Sequence, residues 1–140
     1  MQLDGCPASG PGVAGAAGTL HAAWWTGAEG RRGWWYARGD SPTSFDEPVR
    51  LDADYSITYA VRLAADASGQ AWIAGMHWAD AKAGYHLWIW RVAPSGQPNR
   101  LPDEPPVDAA AGGYDVTDVG DQALVAWIAD GAVHVRDLAA

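Results

Sequence analysis

Three glycines, Gly18, Gly69 and Gly120, stand 51 residues apart, and each has the same surroundings. A short apolar run precedes the glycine. A long apolar run follows it, then a polar loop, then a second long apolar run. The long runs are Leu20 to Thr26 and Trp34 to Arg38, Ala71 to Trp78 and Tyr85 to Val92, and Ala123 to Ala129 and Ala132 to Leu138. Arg38, Arg91 and Arg136 fall near the ends of the last run of each set. A fixed period of this length marks a repeated supersecondary unit, one that buries its apolar surface only against its neighbours.

The runs alternate with period two, which is the pattern of strands. In Leu20 to Thr26, Leu20, Ala22 and Trp24 share one face and His21, Ala23 and Trp25 the other. Both faces are rich in apolar groups, so such strands need cover on both sides. Glycine-rich and polar loops join them, and Asp130-Gly131 between alternating runs is a strong hairpin signal. Helix is not expected, because Gly and Pro break the Ala-rich pieces before they reach helical length. The expected units are about 12–51, 57–101 and 114–140 within one domain, 1–140. The stretch from Pro94 to Pro106, PSGQPNRLPDEPP, reads as turn and linker, since proline does not sit in a central strand. A repeat near ~40–50 residues is that of a four-stranded propeller blade. The fold class is therefore all-β: a partial β-propeller of about three blade-like antiparallel repeats, open because a closed ring takes ~4–8 blades.

Charge narrows the partners. The chain has 9 basic and 17 acidic residues, a net charge of −8, and no dense basic stripe, which argues against nucleic acid. No run approaches the ~18 apolar residues of a membrane span, and the first ten residues lack the charged and apolar regions of a signal peptide. Membrane partners are not expected. The single Cys6 has no internal disulfide partner, so the compartment is left open.

After the third strand of the first unit comes Arg38 to Phe45, RGDSPTSF. It resembles the Asp-box of sialidase-like (BNR repeat) β-propellers, Ser-x-Asp-x-Gly-x-Thr followed by an aromatic. Asp40, Ser44 and Phe45 take the Asp, Thr and aromatic positions, while Arg38 and Pro42 depart from the Ser and Gly. The resemblance implies a structural box, in which a carboxylate and a hydroxyl bond turn amides and the aromatic plugs between strands. It also implies that ligand-facing loops lie at the opposite end. Those loops carry Arg31, Arg32, Tyr55, Tyr59, Arg62 and Tyr114, residue types that suit sugar hydroxyls and carboxylates. Against this stands the plainer reading that Tyr59 is central packing and Arg31 and Arg32 a solvated loop.

No catalytic set is recognisable. Glutamates are limited to Glu29, Glu47 and Glu104; Glu47 sits beside the box and Glu104 in the proline-rich linker, and no paired carboxylates of a glycosidase stand out. His21 and His77 lack a third ligand at metal spacing and read as core histidines. The aspartates at Asp52 and Asp54, and at Asp115, Asp118 and Asp121, read as solvated turns rather than a calcium loop. No cofactor and no metal are expected. The expected function is a glycan-binding surface, or the remnant of a glycan-processing protein that is not catalytic alone. The alternatives are a non-enzymatic protein-interaction module and the C-terminal part of an active glycosidase. The implied partners are a glycan, further copies of the chain, or blades upstream of Met1.

Overall fold

The computed structural model describes residues 10–52, 61–108, 113–120 and 122–138. Among them the fold is all-β, in three antiparallel sheets. The first holds β1 (Gly12–Ala16), β2 (Thr19–Thr26) and β3 (Gly33–Ser41), with β4 (Ser44–Phe45) and β5 (Val49–Asp52) laid one after the other along β3. The second repeats the plan with β6 (Arg62–Ala65), β7 (Ala71–Asp80) and β8 (Gly84–Val92), and with β9 (Pro98–Arg100) and β10 (Pro106–Val107) along β8. The third is β11 (Tyr114–Val119), β12 (Gln122–Ala129) and β13 (Ala132–Asp137). In both of the first two sheets the fourth strand is thus a pair of short pieces. The linker expected at Pro94 to Pro106 is in fact the broken outer strand of the second sheet. Its prolines are tolerated because an edge strand can leave an N–H side unpaired.

Apolar alternation on both faces has the expected result. The middle sheet is buried on each side. Ile73, Trp88 and Trp90 pack with Ala23, Trp34 and Tyr36 of the first sheet. Trp72, Ala74, Met76, Leu87 and Ile89 pack with Tyr114, Val116, Ala123 and Val125 of the third. At the first of these junctions, a Cβ on Gly75 would lie 2.1 Å from the Trp34 ring. Trp34 therefore occupies the space that a side chain at position 75 would need, and its ring centroid is 5.5 Å from that of Trp90.

The opening strands of the sheets also meet one another: β1 lies against β6, and β6 against β11. Small residues permit this close approach, since at Gly12 a Cβ would lie 3.0 Å from the Val61 carbonyl oxygen. An open cavity of about 620 Å³ runs between the three strands, lined by Ala14, Ala16, Leu63, Ala65, Val116 and Asp118 among others. Among the described residues the sheets do not close a ring.

All three repeat glycines lie in the turn between the first and second strands, with φ of 74°, 82° and 72° for Gly18, Gly69 and Gly120. This left-handed backbone favours glycine. The register is not the same in all three. Gly18 follows Ala17 as the second residue of its two-residue turn, whereas Gly120 is the first of its own. The strand after it is displaced by one position, and a one-residue slip turns every side chain to the other face. Ala23 and Ala74 face the following sheet, but Val125, another 51 residues on, faces the preceding one.

The turn of the second sheet is built differently, around the buried Asp66. Its Oδ1 accepts hydrogen bonds from Ser68 N at 2.9 Å, Ser68 Oγ at 2.6 Å and Gln70 N at 3.1 Å. Burial pushes the carboxyl up, but the bonds from Ser68 and Gln70 outweigh it and hold it below the usual aspartate range. Asp66→Ala leaves these donors unsatisfied and is expected to cost about 1–3 kcal/mol in denaturant unfolding. Because the folded value is depressed, Asp66 stabilises fully above the unfolded pKa of about 4, and its contribution is lost as pH falls through the folded value. Denaturant midpoints of the native chain should drop over that acid range more steeply than those of Asp66→Ala.

Candidate functional site

The β7–β8 hairpin ends in a turn whose shape is set by Asp80, whose Oδ1 accepts the N–H groups of Lys82 and Ala83, both at 2.7 Å. Just inside it, His77 pairs across the strands with His86, and Trp78 with Tyr85. Consecutive strand residues point to opposite faces, so the hairpin end offers imidazoles on one side and aromatics on the other. Trp78 is 41% exposed, and Tyr85 packs against it edge-on at 4.9 Å between centroids.

On the imidazole side, the buried His77 stacks on Trp88 at 3.7 Å. The Arg100 guanidinium lies 4.5 Å from the centroid of the same indole. The segment between β9 and β10 then brings in Glu104. Its Oε2 is 3.6 Å from His77 Nε2, its Oε1 is 3.5 Å from Arg100 Nη2, and its backbone carbonyl accepts a hydrogen bond from His86 Nδ1 at 2.7 Å. Arg100 Nη1 also donates to Asp52 Oδ2 of the first sheet at 3.1 Å. One guanidinium thus joins two carboxylates from neighbouring sheets, beside a buried imidazole and over the buried Trp88 indole, while the exposed Trp78 lies on the opposite face of the sheet. Such a group can donate to and accept from hydroxyls, and it holds a histidine next to a carboxylate.

A second buried histidine lies elsewhere between the first two sheets. His21 Nδ1 is 2.8 Å from Tyr36 Oη. Burial, with help from Arg38, lowers the His21 pKa, and burial pushes Tyr36 up to about 12. This pair is structural in setting, enclosed by packed side chains.

The residues singled out in the sequence are not gathered in one place. Arg31 and Arg32 lie in the β2–β3 loop, whose carbonyls serve as acceptors: Arg31 O for Trp35 Nε1 at 2.8 Å, and Arg32 O for the Arg50 guanidinium. Arg31 also lines a notch of about 230 Å³ with Trp24, Trp35 and Glu47, on the far side of the first sheet from the second. Arg62 is at the second junction, its Nε 3.8 Å from Asp115 Oδ1. Tyr114 is buried there in the core; its hydroxyl, which shares a hydrogen bond with the Met76 backbone, is pushed up to about 12 mainly by burial. Tyr55 and Tyr59 lie outside the described residues.

In the stretch resembling an Asp-box, Asp40 is an exposed residue of β3 and accepts no hydrogen bond from a described residue. Ser44 pairs with Ser41 across a tight turn, and Phe45 lies over Gly39 while 42% exposed. Arg38 has the bridging part instead, donating from Nη1 to Pro94 O of the second sheet at 2.6 Å.

Arg100, which the sequence did not single out, and Glu104, set aside as part of a linker, are the residues that sequence reasoning missed, while His77 is buried as expected of a core histidine. Arg100 and Glu104 reach His77 because the outer strand pieces pair along β8. The available signal was the hairpin itself, because the turn at Asp80 to Gly84 sets His77 opposite His86. Among the described residues, no group of three or more His, Cys, Asp and Glu side chains is arranged to hold a metal ion. No family model matches the chain, and neither a curated protein nor a solved structure does.

Proposed function

We propose that the chain is a run of three β-propeller blades that binds glycans at the hairpin end of its middle blade and has no catalytic set of its own. The propeller reading is supported by three antiparallel meanders stacked face to face, with their opening strands side by side around a shared cavity. The sialidase-like affiliation rests on the RGDSPTSF stretch alone. The observation that carries the binding function is Arg100, joined to Asp52 and Glu104 beside His77. A guanidinium flanked by carboxylates takes the hydroxyls of a sugar ring. Both carboxylates are engaged by the arginine, an arrangement that suits holding a ligand rather than cycling a proton.

The test is a glycan array on the native chain, followed by titration of any retained sugar against intrinsic tryptophan fluorescence. Trp78→Ala, on the opposite face of the sheet, is expected to leave binding unchanged. Arg100→Ala is expected to weaken it about tenfold or more, the equivalent of one charge-assisted hydrogen bond. An array on which the native chain retains no glycan would overturn the proposal, as would unchanged affinity in Arg100→Ala.

A further inference from the structure

Among the described residues, the first sheet and the third each have one face with no sheet packed on it. On the first, Val13, Leu20, Trp24 and Trp35 share the face turned away from the second sheet, with Arg50 beside Trp35 and the notch holding Arg31 and Glu47 at one end. On the third, Leu124, Ile128, Val133 and Val135 share the outward face, and the two valines are 72% and 63% exposed. Asp115 and Asp137 lie on this same face. An apolar sheet face open to this extent marks an association surface.

We propose that these two faces are halves of one interface, formed head to tail between the third sheet of one copy of the chain and the first sheet of a second copy. Charge complementarity selects this occupant. The valine face carries Asp137 beside Asp115, which already pairs with Arg62, and the tryptophan face carries Arg31 and Arg50 beside Glu47, so that valine face against valine face would set Asp137 against its own counterpart. The junctions within the chain follow the same scheme. Ion pairs flank both of them, Arg100 with Asp52 at 3.1 Å across the first, and Arg62 with Asp115 at 3.8 Å and Arg136 with Asp103 at 3.0 Å across the second. In each, the forward face of one sheet meets the backward face of the next, and the new contact continues that order. The notch between Trp24 and Trp35 admits a branched aliphatic side chain of the kind that the third sheet presents. A contact between two different faces closes into a ring or extends as a chain, according to the rotation it imposes.

Sedimentation velocity over a range of concentrations reads the outcome. The native chain is expected to sediment as a dimer or larger species. Val133→Asp with Val135→Asp, on exposed positions, is expected to give a monomer with unchanged far-ultraviolet circular dichroism. Arg31→Glu with Arg50→Glu is expected to do the same through the other face. Mixing the two double variants leaves one intact pair of faces and should produce a species that stops at two copies. A native chain that stays monomeric at every concentration overturns the proposal. So does a double variant that still self-associates, because the faces would then pair like with like or association would lie elsewhere.

Discussion

Trp34→Ala is expected to cost about 3–5 kcal/mol, the range for removing a large buried aromatic. The side chain is fully buried at the junction of the first two sheets, against Trp90 and over the bare backbone of Gly75. Three features make the site unable to collapse around the loss. Both walls are strands held in register by their sheets, the space at position 75 has no side chain to move inward, and Trp90 is already fixed edge-on to Trp88 at 5.8 Å. Domains of this size have total stabilities of about 5–15 kcal/mol, so the substitution removes a large part of the total. Thermal denaturation followed by circular dichroism should show a fall in midpoint on the order of 10 °C or more. A change under 1 kcal/mol would mean that the two sheets do not depend on this contact.

Gly75→Ala attacks the same contact from the other side. The added methyl would lie 2.1 Å from one atom of the Trp34 ring and 2.2 Å from another, well inside any van der Waals separation. The indole is rigid and enclosed, so relief requires the sheets to separate or the tryptophan to leave its rotamer, at about 1–3 kcal/mol or more. The two substitutions share one volume and are not additive. Combining Trp34→Ala with Gly75→Ala should cost less than the two single losses together, by a coupling of about 0.5–3 kcal/mol. Additive losses would place the strain elsewhere.

The strands were legible because a strand's face is a property of consecutive residues. Ala71 to Trp78 and Tyr85 to Val92 announce themselves by alternation, and the turns by their glycines. The outer strands were not legible. Pro98 to Arg100 and Pro106 to Val107 owe their extended form to the free edge of β8, and three residues or two carry no periodicity. The candidate site was hidden for a related reason. Asp52, His77, Arg100 and Glu104 come from two sheets and four segments, and they meet only after register and stacking are set. Likewise the even spacing of Gly18, Gly69 and Gly120 concealed a change of face. The position of a glycine within its turn, not its distance from the last glycine, decides which way the next strand points.

The middle sheet lends one face to each neighbour, so no hydrophobic core belongs to any single sheet. Each repeat taken alone is a flat ribbon with two wet apolar sides and little reason to hold its shape. Folding must therefore be a collective act across the stack, with the central ribbon as the shared wall. Taking the first sheet away from the second removes the support of both pieces at once, and truncation there is a loss of fold rather than a trimming of it.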